Sequence, residues 1–352
     1  MAKKMILFRA DGNHIVGSGH VMRCLSIADA SGLPCLFVLS DDNFKNMVAE
    51  RGHSVYVMDT GGQPMEKEAP LLVNLINSYL PSALIMDSYS VTYPYLSSIH
   101  HACKNIFCNL MYVDDILAFP YPCDMLLNYN IYGYGKKAEY RAQYGHSGME
   151  PPCFFLGPSY APLRKEFQDL PVRMVKKNAR DILICAGGAD PGHILKCMAD
   201  FISSNSQFTQ FHFHFIVGAM NMDWGAIQHM LKHTTNVTLY YNTPNMQALM
   251  SNCDVAISAA GSTLYELCAA QAPTVTYTLA DNQIPGAEEF SRRHILKYVG
   301  DVRSVGAARL SKELIYTALE LAGNYDERAR VAAFQKKLVD GKGAARIISA
   351  LC

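Results

Sequence analysis

A histidine directly follows a glycine-rich turn near the N-terminus, in the stretch GSGHVMRC (17–24). His20 stands where a predicted strand gives way to a helix, so we expect an accessible ring near the positive end of that helix. This end favours the neutral imidazole, which is the form that a general base needs. Asp11, at the end of the preceding strand, could orient the ring. A histidine that only caps its helix is the alternative.

A second stretch, SAAGSTLYELCAA (258–270), has the residues of a phosphate site. Gly261 permits a tight turn from strand to helix, and Ser262 and Thr263 occupy the first helical positions. Their hydroxyls, the backbone N–H groups and the helix dipole suit a phosphate or diphosphate. Glu266 follows on the same face, where its carboxylate could accept hydrogen bonds from both hydroxyls of a ribose. The alternative is a capping box, Thr-x-x-Glu, which needs no ligand.

Further glycines and polar residues lie at predicted strand ends. Gly187 and Gly188, in CAGGADPGH, let a ligand approach the backbone closely. No Gly-Lys-Ser/Thr follows them, and Met22 stands where a dinucleotide fingerprint needs its third glycine. Both absences argue against a P-loop ATPase and an NAD-dependent enzyme. Asn282 and Gln283, in LADNQ, suit sugar hydroxyls or amides, and a polar helix cap is the alternative.

Two other strand ends carry polar side chains. Asp87 and Tyr89, in MDSYS, end a predicted central strand and are candidates for binding a substrate. The carboxylates of the VDD run (113–115) could bind substrate or order a loop. His212 and His214 alternate onto one strand face, and the sequence offers no partners that would make them metal ligands, so we expect structural roles for both.

The composition excludes several classes of protein. The 352 residues carry 31 Lys and Arg against 31 Asp and Glu, so the basic surface of a nucleic-acid-binding protein is missing. No stretch has the ~18 uncharged apolar residues of a membrane span. Eleven cysteines without any Cys-x-x-Cys pair are typical of buried reduced thiols. We expect a cytoplasmic protein that binds no nucleic acid, inserts into no membrane and uses no metal or other cofactor.

The elements that position these residues alternate between apolar strands and helices. Continuous apolar runs indicate strands of parallel sheets that are covered by helices on both faces. A polar run, RMVKKNAR (173–180), is predicted to be a solvated linker between two series of strands. We therefore predict two α/β domains, 1–157 and 158–352, with ligands bound where the carboxyl ends of the strands face a cleft. The strands are predicted at 5–10, 34–40, 54–59, 83–87, 110–115, 181–188, 211–218, 237–241, 254–261 and 273–280.

Six separated motifs resemble, in the same order, those of the PseG/SpsG family. They are FRADGNHIVGSGHVMRC, YVDDILAFPYPCDMLLNYN, FFLGPSYAPLRKEF, ILICAGGADPGH, NMQALMSNCDVAISAAGSTLYELCAAQAPTVTYTLADNQ and DGKGAARI. The resemblance covers nearly the whole chain. It implies a GT-B fold related to that of MurG, with two Rossmann-like domains whose parallel sheets face a central cleft. It also implies an enzyme that hydrolyses a UDP-linked sugar in pseudaminic acid biosynthesis.

The resemblance also implies roles for particular residues. His20 would be the catalytic histidine of the N-terminal domain, and Asn282 matches a residue on the sugar side. The C-terminal domain would hold UDP, with the base near Met246. Together with the local patterns, this predicts catalysis at His20, nucleotide binding at Gly187, Gly188, Met246, Gly261, Ser262, Thr263 and Glu266, and sugar binding at Asp11, Gly19, Asp87, Tyr89, Asn282 and Gln283.

Three functions remain open on the sequence alone. The first is metal-independent hydrolysis of a UDP-linked diacetamido-trideoxyhexose to free sugar and UDP. The second is an inverting glycosyltransferase for a spore-coat or other surface polysaccharide, in which an acceptor hydroxyl replaces water. The third is a nucleotide-sugar-binding protein without chemistry, which the presence of His20 argues against. Extra sequence at 131–153 could reshape the sugar pocket and leaves the sugar open.

Overall fold

Two compact α/β units make up the chain in this computed structural model, which describes residues 4–12 and 18–351. The first unit comprises Met1–Lys165 and Lys342–Cys352, and the second comprises Glu166–Gly341. The sequence predicts a boundary after residue 157 and assigns the whole C-terminus to the second domain. The structure differs on both points, because the boundary follows residue 165 and the last helix lies in the first unit.

The first unit is built on parallel strands. In the described residues these are β1 (Ile6–Ala10), β2 (Cys35–Leu39), β3 (Ser54–Val57), β4 (Ala83–Asp87), β5 (Asn109–Val113), β6 (Met125–Asn128) and β7 (Cys153–Leu156). They form one sheet in the order β3-β2-β1-β4-β5-β6-β7. Its helices are α1 (Gly19–Ser31), α2 (Lys45–Glu50), α3 (Ala69–Tyr79), α4 (Tyr93–Asn105), α5 (Lys137–Ser147) and, from the C-terminus, α14 (Gly343–Leu351).

The second unit repeats this architecture. Its strands are β8 (Asp181–Cys185), β9 (His212–Val217), β10 (Val237–Tyr241), β11 (Val255–Ala259), β12 (Thr274–Thr278) and β13 (Lys297–Asp301). They pair in parallel in the order β10-β9-β8-β11-β12-β13. The helices are α6 (Ile194–Ser203), α7 (Trp224–Leu231), α8 (Met246–Asn252), α9 (Thr263–Ala269), α10 (Ile284–Arg292), α11 (Val302–Val305), α12 (Ala307–Gly323) and α13 (Tyr325–Leu338). Within the described part of the chain, no helix is long and apolar enough to cross a membrane.

The predicted strands are all present, and three further strands were missed. β1, β2 and β4 are buried along their whole length, as their continuous apolar sequences predict. β6 and β7 have only four residues each, and β13 is half-buried and contains Gly300. Such short or mixed runs lack the apolar periodicity on which strand prediction depends.

Each sheet has one point at which the strand order reverses. In the first sheet the chain proceeds from β1 outward to β2 and β3, whereas β4 pairs with β1 on its other side. In the second sheet β8 and β11 are the corresponding neighbours. The loops that leave such a pair of strands at their carboxyl ends diverge and leave a crevice, where open α/β sheets bind ligands.

The C-terminal helix α14 packs against α1 within the first unit. Gly343 begins this helix, and a Cβ there would come 2.1 Å from the carbonyl oxygen of Ala161. Arg346 Nη1 donates a hydrogen bond of 2.8 Å to the carbonyl oxygen of Ser159. The glycine thus allows the last helix to approach the end of the first unit's main segment closely, which explains why the chain returns to that unit.

Candidate functional site

His20 lies in the first turn of α1, at the reversal point of the first sheet. Its side chain is buried, and its Nδ1 lies 2.6 Å from Oδ1 of Asp87, the last residue of β4. The alternative in which His20 only caps its helix is wrong, because the N-cap residue is Ser18. Gly19 is the first residue of α1, and a Cβ there would meet nothing within 4 Å. Gly17, the other glycine of the turn, lies outside the described residues.

Arg23 binds the same carboxylate as His20. The two residues are three apart in α1, so their side chains leave the helix on one face. Arg23 Nε contacts Asp87 Oδ2, and Arg23 Nη2 donates to Oδ1 at 2.5 Å. Its Nη1 donates a further hydrogen bond of 3.1 Å to the hydroxyl of Tyr129. Sequence analysis missed Arg23, although its His-x-x-Arg spacing carried the signal.

This ion pair influences which nitrogen of His20 carries the hydrogen. Burial alone would raise the pKa of Asp87, but Arg23 and His20 outweigh it and hold that pKa well below its usual range. An ionised carboxylate can only accept hydrogen bonds, so the contact of 2.6 Å favours a hydrogen on Nδ1, while Arg23 Nη2, which can only donate, lies 2.9 Å from the same nitrogen. A hydrogen on Nδ1 leaves the lone pair of a neutral imidazole on Nε2.

Tyr89 forms a side of the site next to His20. Its ring meets the His20 ring edge to face, with centroids 4.5 Å apart and an interplanar angle of 82°. The side chain is 37% exposed, so a ligand can reach it. The Tyr89 hydroxyl donates a hydrogen bond of 2.7 Å to Oδ2 of Asp115, in the loop after β5. The site therefore combines an imidazole, the carboxylate that contacts it and an accessible phenol.

Two predicted roles do not fit these contacts. Asp11 does not orient His20, because its Oδ1 accepts a hydrogen bond of 2.6 Å from Arg9. Asp11 directly follows β1, two residues after Arg9, so the two side chains meet close to the end of that strand. Asp87, predicted to contact the sugar, is fully buried, and its oxygens are held by His20 and Arg23. It binds the side chains of His20 and Arg23 instead.

The predicted nucleotide residues lie at the carboxyl ends of strands in the second unit. Gly187 and Gly188 follow β8 and Gly261 follows β11, which are the two strands at that sheet's reversal point. Gly187 has a φ of +75°, which favours glycine. A Cβ on Gly218, after β9, would come 2.3 Å from the carbonyl oxygen of Gly188. These loops therefore pack backbone against backbone.

The helix after β11 begins without a capping box. Ser262 is the N-cap residue of α9, it makes no side-chain capping hydrogen bond, and Thr263 is the first helical residue. The capping-box alternative is wrong, because it requires Thr263 at the N-cap position. Glu266 lies in the first turn of α9, and Met246 begins α8 after β10.

The residues after β12 differ in their surroundings. Asn282 and Gln283 belong to a 3₁₀ turn, Asp281–Gln283. The side-chain oxygen of Gln283 accepts a hydrogen bond of 2.8 Å from the backbone N–H of Leu279, so this amide closes its own loop. Asn282 is exposed at the same edge of the sheet.

The two histidines of β9 have structural partners, as expected. Nε2 of His212 lies 2.7 Å from the hydroxyl of Thr238, and Nε2 of His214 lies 3.1 Å from a carboxylate oxygen of Asp181. Across residues 4–12 and 18–351, no group of three or more His, Cys, Asp or Glu could hold a metal ion.

Comparisons with known proteins define the class of the fold. MurG of Acinetobacter baumannii is similar in structure, with a TM-score of 0.65 over 99% of both chains at 12% sequence identity. Residues 182–339 match the glycosyltransferase family 28 C-terminal domain. The chain has the GT-B fold that the sequence predicts.

Named relatives are found among curated proteins. Spore coat polysaccharide biosynthesis protein SpsG of Bacillus subtilis (strain 168) is 22% identical over 344 residues, 97% of this chain and 96% of that protein. UDP-2,4-diacetamido-2,4,6-trideoxy-beta-L-altropyranose hydrolase of Campylobacter jejuni is 27% identical over 264 residues, 74% of this chain and 86% of that protein. The uncharacterized protein MJ1062 of Methanocaldococcus jannaschii is 24% identical over 274 residues. These residues make up 73% of this chain and 52% of that protein. The resemblance to PseG and SpsG is confirmed.

Asp87→Ala should lower the free energy of unfolding by about 3–5 kcal/mol at pH 7, because Arg23 would stay buried without its main counter-ion. The folded pKa of Asp87 is lowered, so its stabilising contribution is present above the unfolded value of about 3.9 and is lost as the pH falls below it. Urea denaturation at pH 7 and in acid should therefore show a difference from wild type that shrinks in acid.

Asp29→Ala is the matched control. Asp29 pairs with Arg51 on the surface at 2.6 Å, and its loss should cost less than about 1 kcal/mol. An Asp87 effect no larger than the Asp29 effect would contradict the importance of the buried pair.

Proposed function

We propose that the protein hydrolyses a UDP-linked diacetamido-trideoxyhexose to free sugar and UDP, without a metal, in pseudaminic-type nonulosonic acid biosynthesis. The observation that carries the proposal is the buried cluster in which Asp87, paired with Arg23, orients His20 at the reversal point of the first sheet. The Campylobacter jejuni relative, whose name is that of such a hydrolase, supports the choice of substrate.

In this proposal His20 is the general base. Its Nε2 takes a proton from water while the water oxygen forms a bond to the anomeric carbon. The bond from that carbon to the UDP oxygen breaks, and UDP leaves with the electron pair. The imidazolium that forms is stabilised by the Asp87 carboxylate, which Arg23 keeps ionised.

The second unit carries the residues that we assign to UDP. Backbone N–H groups and hydroxyls at Ser262 and Thr263 would bind the diphosphate and stabilise the charge that develops on it as the bond breaks. The Glu266 carboxylate would accept hydrogen bonds from the ribose hydroxyls. Met246 would lie near the base, and Asn282 would contact the sugar.

An inverting glycosyltransferase is the second candidate function. The match of residues 182–339 to a glycosyltransferase domain and the fold similarity to MurG favour it. The relative SpsG, named for spore coat polysaccharide biosynthesis, points the same way. In this reaction an acceptor hydroxyl replaces water, and His20 takes its proton.

Incubation with nucleotide sugars distinguishes the two reactions. We expect UDP to be released from a UDP-diacetamido-trideoxyhexose with no acceptor present, because water is the nucleophile. GDP- and CMP-linked sugars serve as controls and should release no nucleotide. Nucleotide release would be followed by chromatography. Release only after an acceptor is added would support the transferase and overturn the hydrolase.

His20→Asn should lower kcat by at least about 100-fold, because the variant has no base at the Nε2 position. Its affinity for UDP, measured by calorimetry, should stay within about twofold of wild type, since UDP is assigned to the second unit. His101→Asn, at an exposed position of α4, is the control and should keep full activity. Full activity of His20→Asn would remove the proposed mechanism.

Glu266→Ala should weaken UDP binding by about tenfold, because it removes an ionised acceptor for the ribose hydroxyls. The loss should be smaller for 2′-deoxy-UDP, which lacks one of these hydroxyls. Glu320→Ala, on an exposed face of α12, should leave the affinity unchanged. Equal losses for the two nucleotides would place Glu266 away from the 2′-hydroxyl.

A further inference from the structure

The two aspartates that follow β5 have different surroundings. Oδ1 of Asp114 accepts hydrogen bonds from the Ile116 N–H at 3.0 Å and from the Tyr121 hydroxyl at 2.8 Å. Its Oδ2 accepts one of 2.5 Å from the hydroxyl of Tyr140, in α5. Asp114 thus holds its own loop in place. This fixes the backbone from which Asp115, the next residue, reaches the cluster around His20.

Asp115 is connected to the proposed base through Tyr89. The Tyr89 hydroxyl donates to Asp115 Oδ2 at 2.7 Å, and the Tyr89 ring packs edge to face on His20. Arg23 Nη1 lies 3.8 Å from the same oxygen, beyond hydrogen-bond distance. The hydrogen bond to Tyr89 is therefore the closest of these contacts and the one that can orient a side chain.

The second carboxylate oxygen of Asp115, Oδ1, lies in an unfavourable environment. Oδ1 is buried and has no hydrogen-bond partner among the residues that the structure describes. Burial also raises the pKa of this carboxyl, and Arg23 and Tyr89 offset the effect only in part. A half-buried carboxylate with one buried oxygen that lacks a partner is unfavourable for stability, so its presence at the edge of a candidate site calls for a functional explanation.

We propose that Asp115 is a positioning residue that acts through Tyr89. By accepting the hydroxyl hydrogen, Asp115 holds the phenol ring against His20 and turns the phenol oxygen into an acceptor towards the substrate. The substrate group that meets Tyr89 must then be a hydrogen-bond donor, such as an amide N–H or a hydroxyl. The part of this inference that concerns the substrate rests on the proposed function.

A double-mutant cycle tests the connection. Asp115→Ala and Tyr89→Phe should each lower kcat/KM by about 10- to 100-fold. The double variant should lose no more than Tyr89→Phe alone, because the hydrogen bond that Asp115 accepts is already absent there. Asp115→Asn keeps an acceptor oxygen and should stay within a few-fold of wild-type activity. It should also melt no lower than wild type, because the buried charge is gone. Additive losses, or an Asp115→Asn variant as inactive as Asp115→Ala, would overturn the proposal.

A second measurement needs no turnover. In the ligand-free protein the ring current of Tyr89 shifts the NMR signals of the His20 ring. Asp115→Ala should move these signals and Asp115→Asn should not; unmoved signals in Asp115→Ala would refute the positioning role. If the signals move but wild type hydrolyses no UDP-sugar, the proposed function fails while the positioning stands. If Asp115→Ala does not fold, the activities of Asp115→Asn and Tyr89→Phe test the proposal instead, because only Tyr89→Phe should lose activity.

Discussion

The buried ion pair between Arg23 and Asp87 is the interaction on which the rest of the candidate site depends. A carboxylate enclosed to this degree stays ionised because the Arg23 guanidinium binds both of its oxygens and His20 contacts one of them. The ionised carboxylate in turn favours a hydrogen on Nδ1 of His20, which the proposed mechanism needs so that Nε2 can act as the base. Arg23 and Asp87 are 64 residues apart in the sequence, so the pair also joins α1 to β4. The same interaction therefore stabilises the first unit and holds the candidate site together.

Both sheets present their candidate residues at the point where the strand order reverses, but with different side chains. At the ends of β1 and β4 the first sheet places acids, a base and an arginine. At the ends of β8 and β11 the second places glycines and hydroxyls, which suit the close approach of an anion. The shared topology explains where ligands can bind, and the side chains at each edge explain what chemistry is possible there.

Several charged side chains are buried in the first unit. Arg9, Glu68, Asp87 and Asp114 are all buried there, while the strands behind them are apolar. Apolar side chains of similar volume would serve stability at least as well as buried ion pairs do. The buried pair of Arg23 and Asp87 and the unsatisfied oxygen of Asp115 are therefore consistent with the proposed chemistry at this site.

The sequence by itself determined the local structure: continuous apolar runs predicted the buried parallel strands, and the Gly-x-Gly-His turn identified His20. It assigned the wrong carboxylate to that histidine, choosing Asp11 because it is near in the chain. Only the tertiary structure decided that Asp87, 67 residues away, orients the ring, because the pairing of β1 with β4 brings them together. The partner of a side chain follows from strand pairing, whereas strands and turns follow from residues adjacent in sequence.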